Sequence, residues 1–317
     1  MNTVLRSASL LAVLALGATA ASLEDRVTLR WKLAVGDSLR YRITQEQTIE
    51  SEMIGEIANS SAFVIRQDVG AVAADGTADL ELRYEAIRLE NGGPAAMSYD
   101  STLTGDAAKR NDARLAKVFQ PMLEAKLGMK LEPTGRVAAL SGVDAMLADA
   151  FDGLGSATPG DPTSMLKEMF TEDSMRKLVE LNVFPTEAIE AGHAWNRTVE
   201  QKLPMFGSLK ISLDNTFTGV EEHAGTRCAK ITVAGTMSLE PAAEQSIPMK
   251  ISIESPTISG VMYFALENGR LIEMQMDTNM DMHMSAGGES GQGFEMDMAI
   301  SSSQRQVLIA KDAPFFE

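Results

Sequence analysis

Methionine is the residue whose type and spacing suggest chemistry in this chain. The sequence carries 20 methionines, and the segment 273–284 (EMQMDTNMDMHM) has one at every second position from Met274, except at Thr278. Successive side chains of a strand point to opposite faces, so this segment predicts a thioether-rich face backed by a polar face. Met296 and Met298 predict a similar face on the strand that follows.

Thioethers on one strand face suit an apolar ligand. Methionine is flexible and polarizable and often lines promiscuous apolar surfaces, so the leading hypothesis is a concave β face that binds a lipophilic molecule. The candidate ligand-binding residues are Met262, Phe264, Met274, Met276, Met280, Met282, Met284, Met296 and Met298. In the rival hypothesis the same face is the packed core of an envelope structural or interaction module that holds no small ligand.

A soft metal ion is a further alternative. Thioethers select ions such as Cu(I) and Ag(I), and two or three ligands could come from Met280, Met282, Met284, Met296 and Met298. His283, the natural co-ligand, is predicted on the face opposite Met282 and Met284, which argues against this alternative. The leading hypothesis therefore includes no metal and no cofactor.

The sequence contains no recognisable catalytic motif. The three histidines, His193, His223 and His283, lack the spacing of a metal site, and there is no G-x-S-x-G, P-loop or dinucleotide-binding motif. The single cysteine, Cys228, cannot form an internal disulfide. We therefore predict that the protein is not an enzyme and that its stability comes from packing.

The charge balance excludes one class of partner. The chain has 28 basic and 44 acidic side chains and a formal net charge of −16. Binding of nucleic-acid phosphates requires clustered Lys and Arg, so nucleic acid is not an expected partner. The expected partners are a lipophilic small molecule or an envelope protein, and the sequence does not indicate an oligomeric state.

The first twenty residues have the pattern of a secretory signal. Arg6 supplies a positive charge, residues 10–16 form a short apolar run, and Ala18-Thr19-Ala20 is a small-residue cleavage site. We predict cleavage after Ala20 and a periplasmic or secreted mature chain. No later segment is long and apolar enough to predict a membrane-spanning helix.

Alternation between apolar and polar residues predicts long strands on both sides of a helical region. A change of phase between Tyr84 and Ile87 predicts a β-bulge near Ala86, and Asn268-Gly269 predicts a tight hairpin turn. Helical spacing dominates the middle of the chain instead. The predicted class is α+β, mostly antiparallel β, with long strands that must curve.

Similar short motifs recur in the two β regions. Residues 35–40 resemble 191–196, residues 68–89 resemble 218–239, and residues 133–137 resemble 267–271, always in the same order. This predicts two related curved β units around a central helical insertion. The predicted divisions are a signal peptide at 1–20, a first β unit at 21–111, a helical insertion with a short hairpin at 112–185, and a second β unit with a Met-rich meander at 186–317.

The order of these motifs resembles a known family. The opening at 33–41 (LAVGDSLRY), the turn at 75–78 (DGTA), the hairpin at 133–137 (PTGRV) and the Phe184-Pro185 junction carry the resemblance, together with Asn268-Gly269 before Met-rich strands. They resemble an uncharacterised family of exported bacterial β-rich proteins, a domain of unknown function. The second junction reads Gly192-His193-Ala194-Trp195, which departs from the usual Gly-Asp-Ser-Trp. The resemblance implies export and a β-rich fold and carries no known activity.

Overall fold

The structure is a computed structural model that describes most of the chain from residue 26 onward. The described residues are 26–93, 96–152, 171–179, 183–203, 207–241, 249–286 and 294–316. The predicted signal peptide and its cleavage site lie outside these residues.

The described residues form one large antiparallel sheet, as the alternation predicts. Its strands, in chain order, are β1 (Ser38–Ser51), β2 (Gly55–Val72), β3 (Ala78–Asn91), β4 (Met97–Asp100), β5 (Leu127–Leu131), β6 (Val137–Ser141), β7 (Ala194–Leu203), β8 (Gly207–His223), β9 (Thr226–Glu240), β10 (Met249–Ala265), β11 (Arg270–Ala286) and β12 (Phe294–Ile309). The spatial order is β6-β5-β3-β2-β1-β12-β11-β10-β9-β8-β7, with β4 beside β3. Because β1 pairs with β12, the two halves of the chain share a single open sheet.

The described helices all lie between β4 and β7 in the chain. A 3-10 turn (Ala107–Arg110) precedes α1 (Ala113–Glu124), and α2 (Val143–Asp152) and α3 (Glu172–Val179) follow the β5–β6 hairpin. Asp112 caps α1 by accepting a hydrogen bond from the Arg114 backbone N–H at 2.8 Å. Helix α3 contacts both edge strands, β6 and β7, so the sheet curls until its two edges approach one helix.

The curl gives the sheet a concave face, which we define as the face that carries Leu39 and Tyr41. Tyr41 on β1 and Phe217 on β8 belong to one buried cluster, although four strands lie between β1 and β8 in the sheet. Side chains from such distant strands can meet only on the inside of a curved sheet. The opposite, convex face carries most of the charged side chains of the long strands.

Two chain segments close one end of the concave face, which we call the base. The first strap (26–37) and the second strap (183–193) meet at a bridge between Val27 and Ile189. The backbone N–H of Lys32 donates to Gly269 O at 3.1 Å, and that of Phe184 donates to Thr134 O at 2.8 Å. Each strap therefore bonds to a hairpin turn of the other half of the chain.

The two straps enter their first strands with the same geometry. The N–H of Gly36 donates to Val69 O at 2.9 Å and the N–H of Val69 donates to Asp37 O at 2.9 Å. The second strap repeats this pair of bonds, with Gly192 to Phe217 O at 2.8 Å and Phe217 to His193 O at 2.9 Å. Both glycines have a φ near +90°, a conformation that favours glycine.

Candidate functional site

The sheet brings all nine predicted ligand-binding residues to the concave face. Residues directly opposite each other in an antiparallel pair share a face, and the register pairs Met262 with Met274, Met282 with Met298 and Met284 with Met296. The pairing partner of Met276 is Gly260, whose missing side chain leaves room for the Met276 thioether. The nine residues divide into two groups along the strands.

The first group lies in the packed core at the base. Met262, Phe264 and Met274 are 3%, 1% and 8% exposed and belong to the largest buried cluster. The Phe264 ring packs edge-on against Trp31 of the first strap and Phe184 of the second, with centroid distances of 5.5 and 4.7 Å. Met276 packs against the edge of this cluster. These side chains join the straps to the sheet.

The second group lies toward the other end of the strands, which we call the distal end. The distal methionines, Met280, Met282, Met284, Met296 and Met298, are partly exposed. Isoleucines on the neighbouring strands extend this apolar surface: Ile300 pairs with Met280 and with Ile49, and Ile253 pairs with Met282. The distal end is therefore an apolar surface that the described residues only partly cover.

Uncharged polar side chains separate the base from the distal methionines. One cross-strand row joins Thr278, Ser302, Gln47, Asn59 and Asn91, and the row beside it contains Gln304, Gln45 and Ser61. We call these eight residues the polar belt. All but Thr278 are amides or serines, and all eight are partly buried.

The belt is hydrogen-bonded within itself. The amide of Gln45 donates to the Ser302 hydroxyl at 3.2 Å, and the amide of Asn59 donates to Gln47 Oε1 at 3.4 Å. Sequence reasoning missed the belt, although its signal was present in the alternate uncharged positions of 44–48 (TQEQT) and 301–306 (SSSQRQ).

Charge is distributed unequally between the two faces. No ionisable side chain lies at the described concave positions of four neighbouring strands. These positions run from Ile43 to Ile49 on β1, from Ile57 to Phe63 on β2, from Met274 to Met284 on β11 and from Met296 to Gln306 on β12. The convex positions of the same strands carry many carboxylates. A cleft of about 800 Å³ at the distal end is lined by Glu50, Glu52, Glu56, Glu254, Asp281 and Asp297, with His283, Met282 and Met298 among them.

His283 lies on the convex face, as the alternation predicts. Its Nδ1 atom lies 2.6 Å from Asp297 Oδ1, and this hydrogen bond raises the pKa of His283 above its ordinary value. The ring is therefore held away from the thioethers of Met282 and Met284. Among the described residues no group of three His, Cys, Asp or Glu side chains could hold a metal ion.

A second histidine forms a polar chain near the base of the convex face. His223 Nε2 lies 2.8 Å from Glu273 Oε2, and Glu273 Oε1 accepts a hydrogen bond from Arg305 Nε at 2.6 Å. The His223 ring stacks on Tyr263 with a centroid distance of 3.7 Å. The hydrogen bond from Arg305 is the main cause that lowers the pKa of Glu273. This chain therefore links β8, β10, β11 and β12.

The C-terminal segment also binds to the convex face. Arg40 is 6% exposed; its Nε donates to Glu85 at 2.6 Å, and its NH1 group lies 2.8–3.1 Å from the carbonyl oxygens of Ala310, Lys311 and Ala313. The Phe316 ring lies over the Arg88 guanidinium at 4.2 Å. The end of the chain is thus anchored beside β1 and β3.

Comparison with known proteins gives a family but no function. None of the curated proteins matches the sequence. Solved structures that match include DynF from the dynemicin biosynthesis pathway of Micromonospora chersina, at 7% identity over 89% of this chain and 86% of that chain, with a TM-score of 0.20. A Bacteroides fragilis protein with a YmcC-like fold matches at 9% identity over 88% and 97% of the two chains, with a TM-score of 0.22.

An outer membrane channel from Pseudomonas putida F1 also matches, at 7% identity over 87% of this chain and 97% of that chain, with a TM-score of 0.16. Scores this low carry no argument about what the present chain does. In the part of the chain that the structure describes, no helix has the length and apolar character needed to cross a membrane. The predicted resemblance to an uncharacterised family is confirmed, because a family model matches residues 75–306: the chain belongs to the family of unknown function DUF6263.

Proposed function

We propose that this chain is a non-catalytic binding protein for a lipophilic molecule, which lies against the distal methionines of the concave face. The observation that carries the proposal is the change in burial along one face of β11, from packed Met274 to partly exposed Met282. Partly exposed apolar side chains on a concave surface gain free energy when an apolar molecule covers them. The lack of ionisable side chains at the described concave positions of β1, β2, β11 and β12 supports the same ligand class.

Probe binding tests the proposal with a matched pair of variants. Met282→Glu puts a charge among the distal methionines, whereas Asn279→Glu puts the same charge on the exposed convex face of the same strand. We expect Met282→Glu to weaken the binding of a polarity-sensitive naphthylamine dye at least about tenfold, because a carboxylate is costly to cover with an apolar molecule. Asn279→Glu should bind the dye as the parent protein does.

Native mass spectrometry separates this function from its rival. Co-purifying lipid together with dye uptake supports a binding protein. A ligand-free spectrum without dye uptake would overturn the proposal in favour of an envelope structural or interaction module whose methionine face is packed core and which holds no small ligand.

The register favours one alternative ligand, Cu(I) or Ag(I). Met282 lies directly opposite Met298, and Met284 lies opposite Met296, so thioethers from two strands are neighbours. Replacing Met282 and Met298 with Leu nearly conserves volume and removes both sulfur atoms. Loss of Cu(I) competition against a chelator in this variant would support the metal, whereas retained dye binding would support the lipophilic ligand.

We also infer that the chain consists of two related β units, at 21–111 and 186–317, with a helical insertion at 112–185. The repeated bond pair at Gly36 and Gly192 supports this division. Exchanging residues 191–196 for the 35–40 sequence should preserve folding if the two units are equivalent. Loss of folding with this exchange would count against duplication.

Export to the periplasm or beyond the cell completes the proposal. It rests on the signal pattern of residues 1–20, which precede the described residues. N-terminal sequencing of the exported protein should begin at Ala21. Retention of Arg6 in the mature protein would contradict the proposed processing.

A further inference from the structure

We propose that the concave face selects an uncharged amphiphile, whose hydrogen-bonding head group lies at the polar belt and whose chain lies along the distal methionines. This inference rests on the proposed function and names the ligand class that the site accepts. It follows from the order of side chains along the strands, their hydrogen-bonding capacity and the placement of charge.

The order of side chains along β11 and β12 matches a molecule with one polar and one apolar part. Thr278 and Ser302 face each other in the polar belt, and the three pairs beyond them consist of methionines and one isoleucine. Met284 lies six residues beyond Thr278, which is about 20 Å along a strand. That length accommodates an extended acyl chain.

The polar belt can bind both donors and acceptors. A side-chain amide offers two N–H donors and an oxygen with two lone pairs, and each bond seen within the belt uses only part of that capacity. Gln45 donates to Ser302, and Asn59 donates to Gln47. A head group with hydroxyls, an amide or an ester would complete this bonding.

A charged head group would find no counter-ion among the described concave positions of β1, β2, β11 and β12. Arg197 on β7 lies on the concave row of Thr278, but it is four strands away from β11 and donates from Nε to Val183 O at 3.1 Å. The belt and its neighbouring concave positions on β1, β2, β11 and β12 have no ionisable side chain, and moving an ion out of water without an opposite charge is costly. An anionic head would also meet the negative potential of a chain with a net charge of −16. Both kinds of ion are therefore disfavoured relative to a neutral head.

A buried amide side chain, that of Asn215, lies on the same cross-strand row as Gln304 of the polar belt. It is a further uncharged group that could bind a polar head group. Asn215 on β8 is connected through the paired residues Val233, Gly260 and Met276 to Gln304 of the belt. The Asn215 side chain is 3% exposed, and its Nδ2 atom has no hydrogen-bond partner among the described residues. Buried donors are normally paired, so an acceptor on a ligand would complete the bonding of Asn215 Nδ2.

The test is a comparison of head groups on one chain length. Isothermal titration calorimetry at neutral pH would measure binding of monolauroylglycerol, laurate and dodecylammonium to the full-length mature protein. We expect monolauroylglycerol to bind at least about tenfold more tightly than either ion. Equal binding of the three, or tighter binding of an ion, would overturn this inference and leave the lipophilic site intact. Binding of none of them would overturn the proposed function itself.

Variants of the belt sharpen the test. Gln45→Leu with Gln304→Leu should abolish the preference for monolauroylglycerol, while Gln275→Leu, on the convex face of β11, should leave it unchanged. Gln45→Glu conserves side-chain shape and adds a charge, so it should shift the preference toward dodecylammonium even if the double variant fails to fold. An unaltered preference in Gln45→Glu would overturn the role of the belt.

Discussion

Methionine side chains have different environments at the base and at the distal end of the concave face. Met274 and Met282 lie on the same face of β11, eight positions apart, yet Met274 is 8% exposed and Met282 is partly exposed. The difference lies in what covers them. The two straps bring Leu29, Phe184 and Ile189 into the base. Side-chain type therefore predicts an apolar face, and the course of distant chain segments decides where that face becomes core.

Replacing Arg40 tests whether contacts on the convex face also stabilise the base. Arg40→Ala should lower the free energy of unfolding by about 3–5 kcal/mol, because Glu85 loses its principal partner in a poorly exposed pair. Chemical denaturation measures the change. The control is Arg83→Ala, whose pair with Glu81 is considerably more exposed and should contribute less than about 1 kcal/mol. Equal decreases in the free energy of unfolding for the two variants would show that the Arg40 contacts do not stabilise the base.

The variants Met274→Ala and Met282→Ala compare the packing of methionine at the base with its packing at the distal end. Truncation of packed Met274 should cost about 2–4 kcal/mol, since it leaves a cavity beside Met262 in the core. Truncation of Met282 should cost under about 1 kcal/mol, because solvent already reaches it. Urea denaturation of both variants gives the two values. A large loss in Met282→Ala would mean that the distal end is also packed core.

Asn215 is a polar exception inside the mostly apolar interior. Asn215→Leu removes the unpaired Nδ2 donor and should raise the free energy of unfolding by about 1 kcal/mol, while weakening binding of a ligand that supplies an acceptor. Thermal unfolding and calorimetric titration of one preparation would show both effects. A marked loss of stability would instead identify Asn215 as a structural residue of the base.

The smallest effect is expected at His283, on the convex side of the distal end. The hydrogen bond to Asp297 raises its pKa, and the carboxylates of Glu295 and Glu254 act in the same direction. Its contribution to stability is therefore complete below the unfolded pKa of about 6.5. It is lost as pH rises through the raised folded pKa.

An NMR titration of the His283 ring should show this raised pKa, and Asp297→Asn should lower it toward the ordinary value. His283→Gln should remove the corresponding pH dependence of unfolding. A His283 pKa that is unaffected by Asp297→Asn would show that the pair is not formed in solution.

Local pattern predicted much of the sheet. The alternation in 273–284 is part of β11. A turn precedes β11, but the tight Asn268-Gly269 turn that the sequence predicts is not formed: the strands end at the Ala265–Arg270 pair, the turn has four residues (266–269), and of Asn268 and Gly269 only the glycine has a positive φ. The predicted bulge is confirmed, since Val64 pairs with Ala86 and Ile65 with Tyr84, leaving Glu85 as the extra residue. Strand alternation and bulges depend on residues that are close together in the chain, so they can be predicted from local sequence.

The straps and the polar belt could not be predicted in the same way. The bridge between Val27 and Ile189 forms only after the sheet has curled, and no local pattern marks it. Gln304 and Gln45 resemble surface residues until the register places them side by side on the concave face. Their meaning depends on partners more than 250 positions away in the chain, which period-two alternation cannot identify.

The pairing of β1 with β12 also governs when this protein can fold. Arg40 pairs with Ile309, so a ladder in the middle of the sheet joins β1 to β12, the first and the last of the described strands in chain order. Until β12 pairs with it, one edge of β1 has unpaired backbone groups that another chain could bind. Contacts with such wide sequence separation slow folding. The described sheet is therefore complete only after β12 has been synthesised, and β1 lacks one of its two neighbouring strands until then.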